Sequence, residues 1–235
     1  MLKINDLNVQ INNKNILEDI KFSIWKGEIF WLLGHNGSGK TTLLKAIIWL
    51  VKNNWEILFN GENIENLKVE EKANKWIWYI MQEVPEYVWI SIFMYVKAIL
   101  KDNFNEKKLE EYFDLFWLNW DTYKTRNLDT HLSGGEKKKV EIITNFMMNK
   151  EIYLLDEIET ALDATSRQIL VNIIKQKKES WTSFIIVSHN QDLINLSNYG
   201  LLLCNGKTQK AGEIKELNEL YLWKCENCSL PNNCK

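Results

Sequence analysis

The sequence predicts an α/β fold: a mainly parallel sheet with an antiparallel β edge and an inserted helical subdomain. Three observations carry this. Ile29-Phe30-Trp31-Leu32-Leu33 is a continuous apolar run, as a strand covered on both faces requires, and it leads into a glycine-rich loop followed by Leu43, Leu44, Ile47 and Ile48 at helical spacing. Two similar runs, Ile152 to Leu155 and Phe184 to Val187, return late in the chain. From about residue 84 to 131 the pattern turns helical, with Leu109, Tyr112, Phe113 and Phe116 on one face, which reads as an insertion within the parallel core.

The remaining elements follow in order. Leu2 to Val9 alternates as a strand does, and Ile16 to Ile24 repeats the pattern before Lys26-Gly27-Glu28 turns the chain, so the start reads as the antiparallel edge. Past Asn205-Gly206 the chain reads as a polar helix. Residues 1–220 thus form one domain and residues 221–235 a cysteine-containing tail. With 29 basic and 31 acidic residues the net charge is -2, which offers no basic field for a nucleic acid. The longest apolar stretch, Val88 to Val96, is far short of the roughly 18 residues that a membrane helix needs. The start lacks the apolar core of a signal peptide, so the expected compartment is the cytoplasm, membrane-peripheral if the partners are membrane-embedded. The four cysteines then read as thiols or metal ligands rather than disulfides.

Gly34-His35-Asn36-Gly37-Ser38-Gly39-Lys40-Thr41 fits the phosphate-loop pattern GxxxxGK[ST] between a buried strand and a helix. Backbone N–H groups of such a loop converge on a β-phosphate at a helix N-terminus. Gly34, Asn36, Gly37, Ser38, Gly39, Lys40, Thr41 and Thr42 are therefore candidate ATP ligands, with Lys40 reaching the β/γ oxygens and Thr41 holding Mg²⁺. The strand Ile152 to Leu155 ends in Asp156, a second candidate Mg²⁺ ligand, and Glu157, which can orient or deprotonate an attacking water. Ser133-Gly134-Gly135-Glu136 reads as a capping box at a helix start whose glycines let a phosphate approach the free N–H groups. Gln82 and His189 each follow an apolar strand and are expected at the sheet edge that faces the nucleotide.

These motifs, with Thr160-Ala161-Leu162-Asp163, stand in the order of the ABC ATPase family, which the chain resembles over roughly residues 1–215. The resemblance implies Mg²⁺-dependent ATP hydrolysis by a head-to-tail dimer. Ser133, Gly134 and Gly135 of one subunit would close on the γ-phosphate held by Lys40 of the other, Gln82 and His189 would sense that phosphate as catalytic groups with Gln82 also a further metal ligand, and Asp163 would touch the partner. Intact Lys40, Asp156, Glu157 and His189 argue against a non-hydrolysing regulator. Within the family, Ser133-Gly-Gly-Glu-Lys-Lys-Lys-Val-Glu-Ile-Ile, the Gln82 to Ser91 segment and Trp181 to His189 resemble the SufC-type ATPases of SUF iron–sulfur cluster assembly. That likeness implies soluble SUF scaffold proteins as partners. The alternative is an ATP-binding subunit that engages membrane-spanning transporter subunits through the same segment. Leu132 and Lys139 depart from the SufC pattern of Phe and Arg, and Ile11 occupies the approximate position of an adenine-stacking aromatic, which implies weaker base recognition.

Cys225, Cys228 and Cys234 are spaced as zinc or iron–sulfur ligands are, with Cys204, a partner chain or an exogenous group as the fourth ligand; free cysteines on the tail are the competing reading. Tryptophan numbers 11 and glycine only 10. Trp31, Trp49, Trp55, Trp78, Trp89, Trp117 and Trp181 fall where relatives of this family carry glycine, whereas Trp25, Trp76, Trp120 and Trp223 match no clear glycine position. A buried strand at Trp31 and a turn at Trp55 leave little space for an indole. The pattern predicts UGA codons read as glycine, and returning seven residues to glycine restores ordinary usage of about 7%.

Overall fold

The computed structural model describes residues 2–51, 56–64, 67–87, 89–129 and 131–225. The strands are β1 (Leu2–Ile11), β2 (Lys14–Ile24), β3 (Ile29–Leu33), β4 (Glu56–Phe59), β5 (Glu62–Asn63), β6 (Ile77–Ile80), β7 (Ile152–Asp156), β8 (Ser183–Val187), β9 (Tyr199–Cys204) and β10 (Lys207–Glu213). Helices α1 (Lys40–Ile47), α2 (Val69–Lys75), α3 (Ile92–Leu100), α4 (Glu106–Leu115), α5 (Trp120–Tyr123), α6 (Gly134–Phe146), α7 (Ala164–Glu179), α8 (Gln191–Ile194) and α9 (Ile214–Cys225) fill the connections. Among the described residues the sheet order is β5-β4-β1-β2-β10-β9-β3-β8-β7-β6. The five strands from β9 to β6 are parallel, while β1 pairs antiparallel with both β2 and β4, which is the mainly parallel sheet with an antiparallel edge.

Strand periodicity sorts the apolar side chains into two cores. Tyr153, Leu155, Phe184 and Ile186 face the layer built with α3, α4, α6 and α7, whereas Ile152, Leu154, Ile185 and Val187 face the layer that holds Leu43, Leu44 and Ile47 of α1. Both faces of β7 and β8 are covered, which is why neither strand alternates with polar residues. Between Gln82 and Ser133 the chain leaves the sheet for α3, α4 and α5. Leu109, Phe113 and Phe116 are fully buried there, as their spacing predicts.

Three expectations change. The chain after Gly206 is strand β10 before it is a helix. Asn205 and Gly206 both adopt positive φ, the geometry of a two-residue hairpin turn, and the alternating exposure of Lys207–Glu213 suits a ribbon paired with β9. Trp31 does have room: it is 3% exposed, packs with Leu33, Leu202, Ile194 and Leu217, and its Nε1 donates to Ser188 O at 3.1 Å. Cys204, at the end of β9, is disulfide-bonded rather than a free thiol, and a bridged sulfur has no thiolate to offer a metal. Trp55, Trp223's side chain and the Cys225, Cys228 and Cys234 thiols lie outside the described residues and side chains.

Candidate functional site: the phosphate loop and its carboxylates

The loop between β3 and α1 is shaped by glycine at two points. A Cβ on Gly34 (φ 149°) would meet Ser38 Oγ at 2.4 Å and Leu203 O at 2.5 Å; one on Gly39 (φ 104°), the N-cap residue before α1, would meet Leu17 Cδ2 at 2.6 Å. Both backbones are therefore confined to glycine. Lys40, buried at the start of α1, turns back over the loop and donates from Nζ to Gly34 O at 2.6 Å and His35 O at 3.1 Å. Its desolvation lowers the ammonium pKa, against the opposing pull of Glu157 and Asp156. Ser38 Oγ is buried without a hydrogen-bond partner among the described residues, a hydroxyl left for another acceptor or donor.

Across a cavity of about 320 Å³ lined by Ile16, Asn36, Gly37, Lys40, Thr41 and Glu157 among others stand the ends of β6, β7 and β8. Thr41 Oγ1 donates to Asp156 Oδ1 at 3.2 Å, and Tyr79 OH donates to Asp156 Oδ2 at 2.8 Å. Burial, and then the Asp156 charge, push the Tyr79 phenol pKa far up, so it stays a donor. Gln82 Nε2 donates to Glu157 Oε2 at 3.1 Å, and His189 Nε2 lies 3.7 Å from Glu157 Oε1. Glu157 itself has φ 47°, an unfavourable conformation for a side chain of its size, fixed by its N–H donating to Val187 O at 2.9 Å. Gln82, Thr41, Asp156, Glu157 and His189, separated by up to 148 positions in sequence, thus meet at one sheet edge.

The residue types fit Mg²⁺. Thr41 and Gln82 line the cavity, and the Thr41 hydroxyl is bonded to the Asp156 carboxylate behind it, an all-oxygen set that leaves further positions for phosphate and water. Among the described residues no group of three or more His, Cys, Asp or Glu is placed as a self-sufficient metal cage.

Ser133, Gly134 and Gly135 lie elsewhere and do not line this cavity. Ser133 caps α6: its Oγ accepts from Glu136 N at 3.2 Å, and Glu136 Oε2 accepts from Ser133 N at 2.8 Å, the expected capping box. A Cβ on Gly134 would meet nothing within 4 Å, whereas one on Gly135 would meet Ala161 O at 3.1 Å, so the helix start is open to an approaching group at Gly134. Asp163 caps α7 through Ser166 N at 2.8 Å and pairs with Lys139 of α6 at 3.1 Å. Those donors hold the Asp163 carboxyl down at about 2.

Several site residues were not legible as motifs. Lys138, fully buried on α6, donates to Met81 O, to Gln82 O at 3.2 Å and to Glu141 Oε2 at 2.8 Å, tying α6 to the backbone that carries Gln82. Ser188 Oγ donates to Glu159 Oε1 and accepts from Asn190 N at 2.9 Å, bracketing His189. Ile16 lines the cavity, whereas Ile11 is 40% exposed at the end of β1 and is not among its lining residues.

A family model described as ABC transporter matches residues 17–160. The uncharacterized ABC transporter ATP-binding protein MJ0035 of Methanocaldococcus jannaschii is 27% identical over 97% of this chain and 95% of its own length. The probable ATP-dependent transporter SufC of Escherichia coli is 28% identical over 96% of this chain and 99% of its own. A dimeric post-hydrolysis structure of the ATP-binding cassette MJ0796 with ADP and Pi superposes with a TM-score of 0.80 at 19% identity, covering 91% of this chain and 99% of that one.

Proposed function

The chain belongs to the ABC transporter family as an ATP-binding subunit of an ABC-type system, and from that premise we propose that it hydrolyses ATP as one half of a head-to-tail dimer. The observation that carries this reading is the division of the machinery. The phosphate loop, Gln82 and Glu157 line one cavity, with Asp156 bonded to Thr41 and His189 beside Glu157, while the capped start of α6 lies outside it. A second copy supplies Ser133, Gly134 and Gly135, whose N–H groups meet the γ-phosphate at a helix N-terminus. The solved relative MJ0796 is itself described as dimeric.

In this mechanism the loop N–H groups and Lys40 hold the β- and γ-phosphates. Thr41 and Asp156, with Gln82, would hold Mg²⁺, which supplies charge neutralisation of the transferred phosphoryl group. Glu157 orients a water and accepts its proton as the water oxygen bonds to the γ-phosphorus and the bond to the ADP oxygen breaks. His189 donates a hydrogen bond to the γ-phosphate. The left-handed backbone of Glu157 aims its carboxylate between Gln82 and His189.

The SufC-type role is the finer reading. It is supported by Glu136 to Glu141 and by whole-length similarity to the Escherichia coli protein of that name. No helix among the described residues is long and apolar enough to cross a membrane. Turnover should require Mg²⁺ and rise more than linearly with protein concentration, and Glu157→Gln should trap an ATP-bound dimer visible by light scattering. Full activity in a strictly monomeric preparation contradicts the dimer. Co-purification with soluble scaffold proteins supports the SufC-type role, and recovery only with integral membrane proteins assigns the chain to a transporter.

A further inference from the structure

Four tryptophans have left-handed backbones: Trp49 (φ 67°), Trp89 (φ 69°), Trp117 (φ 62°) and Trp181 (φ 64°). Asn and Asp, whose short side chains tolerate this region, account for seven of the thirteen described non-glycine residues with positive φ; tryptophan supplies four of the other six. A bulky aromatic is among the residues least expected there.

Three of the four share one structural role. Helix α1 ends at Ile47 with Ile48 as C-cap; Trp49 N donates to Ala46 O at 3.0 Å and Leu50 N to Lys45 O at 2.9 Å. Helix α4 ends at Leu115 with Phe116 as C-cap; Trp117 N donates to Asp114 O at 3.0 Å and Leu118 N to Phe113 O at 2.9 Å. Helix α7 ends at Glu179 with Ser180 as C-cap; Trp181 N donates to Lys178 O at 2.9 Å and Thr182 N to Lys177 O at 3.0 Å. Each is a complete Schellman motif, and in each the indole stands at the left-handed position after the C-cap that glycine normally fills.

Packing does not explain the choice at the three exposed positions; Trp49 is half-buried against the core with Lys72 Nζ 4.6 Å from its ring, and its case rests on its backbone geometry. Trp89, Trp117 and Trp181 are 85%, 80% and 66% exposed, so little burial offsets the backbone strain. Partner binding through exposed indoles would leave unexplained why two of them, Trp117 and Trp181, share with the half-buried Trp49 the same position of the same helix-ending motif. Trp120 behaves differently: it is 2% exposed, its Nε1 donates to Glu106 Oε1 at 3.1 Å, its ring lies 4.9 Å from Phe113, and its φ is not positive. Trp31 and Trp78 likewise have bonded indole N–H groups and no positive φ, so the conformational argument does not extend to them.

We propose that residues 49, 89, 117 and 181 are glycine in the native protein, encoded by UGA codons that the source cell reads as glycine and that the sequence renders as tryptophan. The glycines that shape the phosphate loop and the start of α6 then come from ordinary glycine codons, and the exposed indoles at 89, 117 and 181 are not a docking surface. The test is peptide sequencing by mass spectrometry of the protein isolated from its source cells, together with the codons of its gene. The expected result is glycine at all four positions with UGA in the gene, and tryptophan with UGG at 120. UGG codons at the three helix-end positions overturn the proposal, and so do UGA codons whose peptides carry tryptophan.

Discussion

Replacing Lys138 with Met should expose how α6 holds the segment that carries Gln82. Lys138 is 0% exposed and its ammonium reaches three oxygens: Met81 O, Gln82 O and Glu141 Oε2. Glu141 is 4% exposed, and burial raises its pKa even with Lys138 beside it. Lys138→Met strands a buried carboxylate and two carbonyls, a loss of about 3–5 kcal/mol when one partner of a buried ion pair is removed. Removing both charges with Lys138→Met and Glu141→Leu should recover most of that loss, leaving a deficit of about 1–3 kcal/mol for the unsatisfied carbonyls. The assay is urea denaturation across pH. In the single variant Glu141 has a raised folded pKa, so folding binds a proton and stability increases as pH falls. The gap to the parent chain should therefore narrow on acidification and widen as pH rises through that folded pKa. Turnover should fall in both variants because each frees the Gln82 backbone from α6. A Lys138→Met chain as stable as its parent at neutral pH, within about 1 kcal/mol, would refute this account of the buried pair.

Asp163→Ala should cost about 1 kcal/mol through loss of the α7 cap, measured by thermal melt. Because the Asp163 carboxyl is depressed to about 2, its contribution should be complete above the unfolded pKa of about 3.9 and vanish as pH falls through the folded value; a deficit that grows on acidification contradicts this. Joint replacement of Trp89, Trp117 and Trp181 by glycine should stabilise the chain by about 3 kcal/mol, since a left-handed L-residue costs about 1 kcal/mol or more and these indoles are exposed. That corresponds to a melting temperature higher by roughly 10 °C, and a lower one shows that the indoles contribute to the fold. Ser188→Ala removes the hydroxyl that donates to Glu159 and accepts from Asn190 N, the bonds that hold the backbone on either side of His189. It should lower kcat while leaving nucleotide affinity nearly unchanged, which equilibrium binding of a fluorescent ATP analogue can separate.

Legibility followed the range of the interactions. The phosphate loop, the strand that ends in Asp156 and Glu157, and the Ser133 cap were readable because their chemistry is local: a few consecutive residues set the backbone and the cap. Gln82 and His189 were readable from position, since each follows a buried strand whose end must face the loop. The Lys138 contact with Met81 and Gln82 spans 57 and 56 positions, and nothing in a lysine-rich helix start marks which ammonium turns inward. Tyr79 is hidden in the same way, as an ordinary strand aromatic whose hydroxyl finds Asp156 only after β6 pairs with β7. Strand β10 was missed because its polar alternation makes sense only beside β9. The tryptophans were suspicious by position alone, but only the φ angles separate Trp49, Trp89, Trp117 and Trp181 from Trp31 and Trp78.

The central claim, that each hydrolytic site is built from two chains, is tested most directly by complementation. Lys40→Ala removes the phosphate-loop ammonium and Ser133→Arg blocks the open start of α6, so each variant alone should lack turnover. In a mixed head-to-tail pair the damaged groups fall together in one site, and the other keeps an intact Lys40 facing an intact Ser133. Mixing the two inactive proteins should therefore restore Mg²⁺-dependent ATP hydrolysis. A mixture as inactive as its components, when mixed dimers are shown to form, would contradict the shared site.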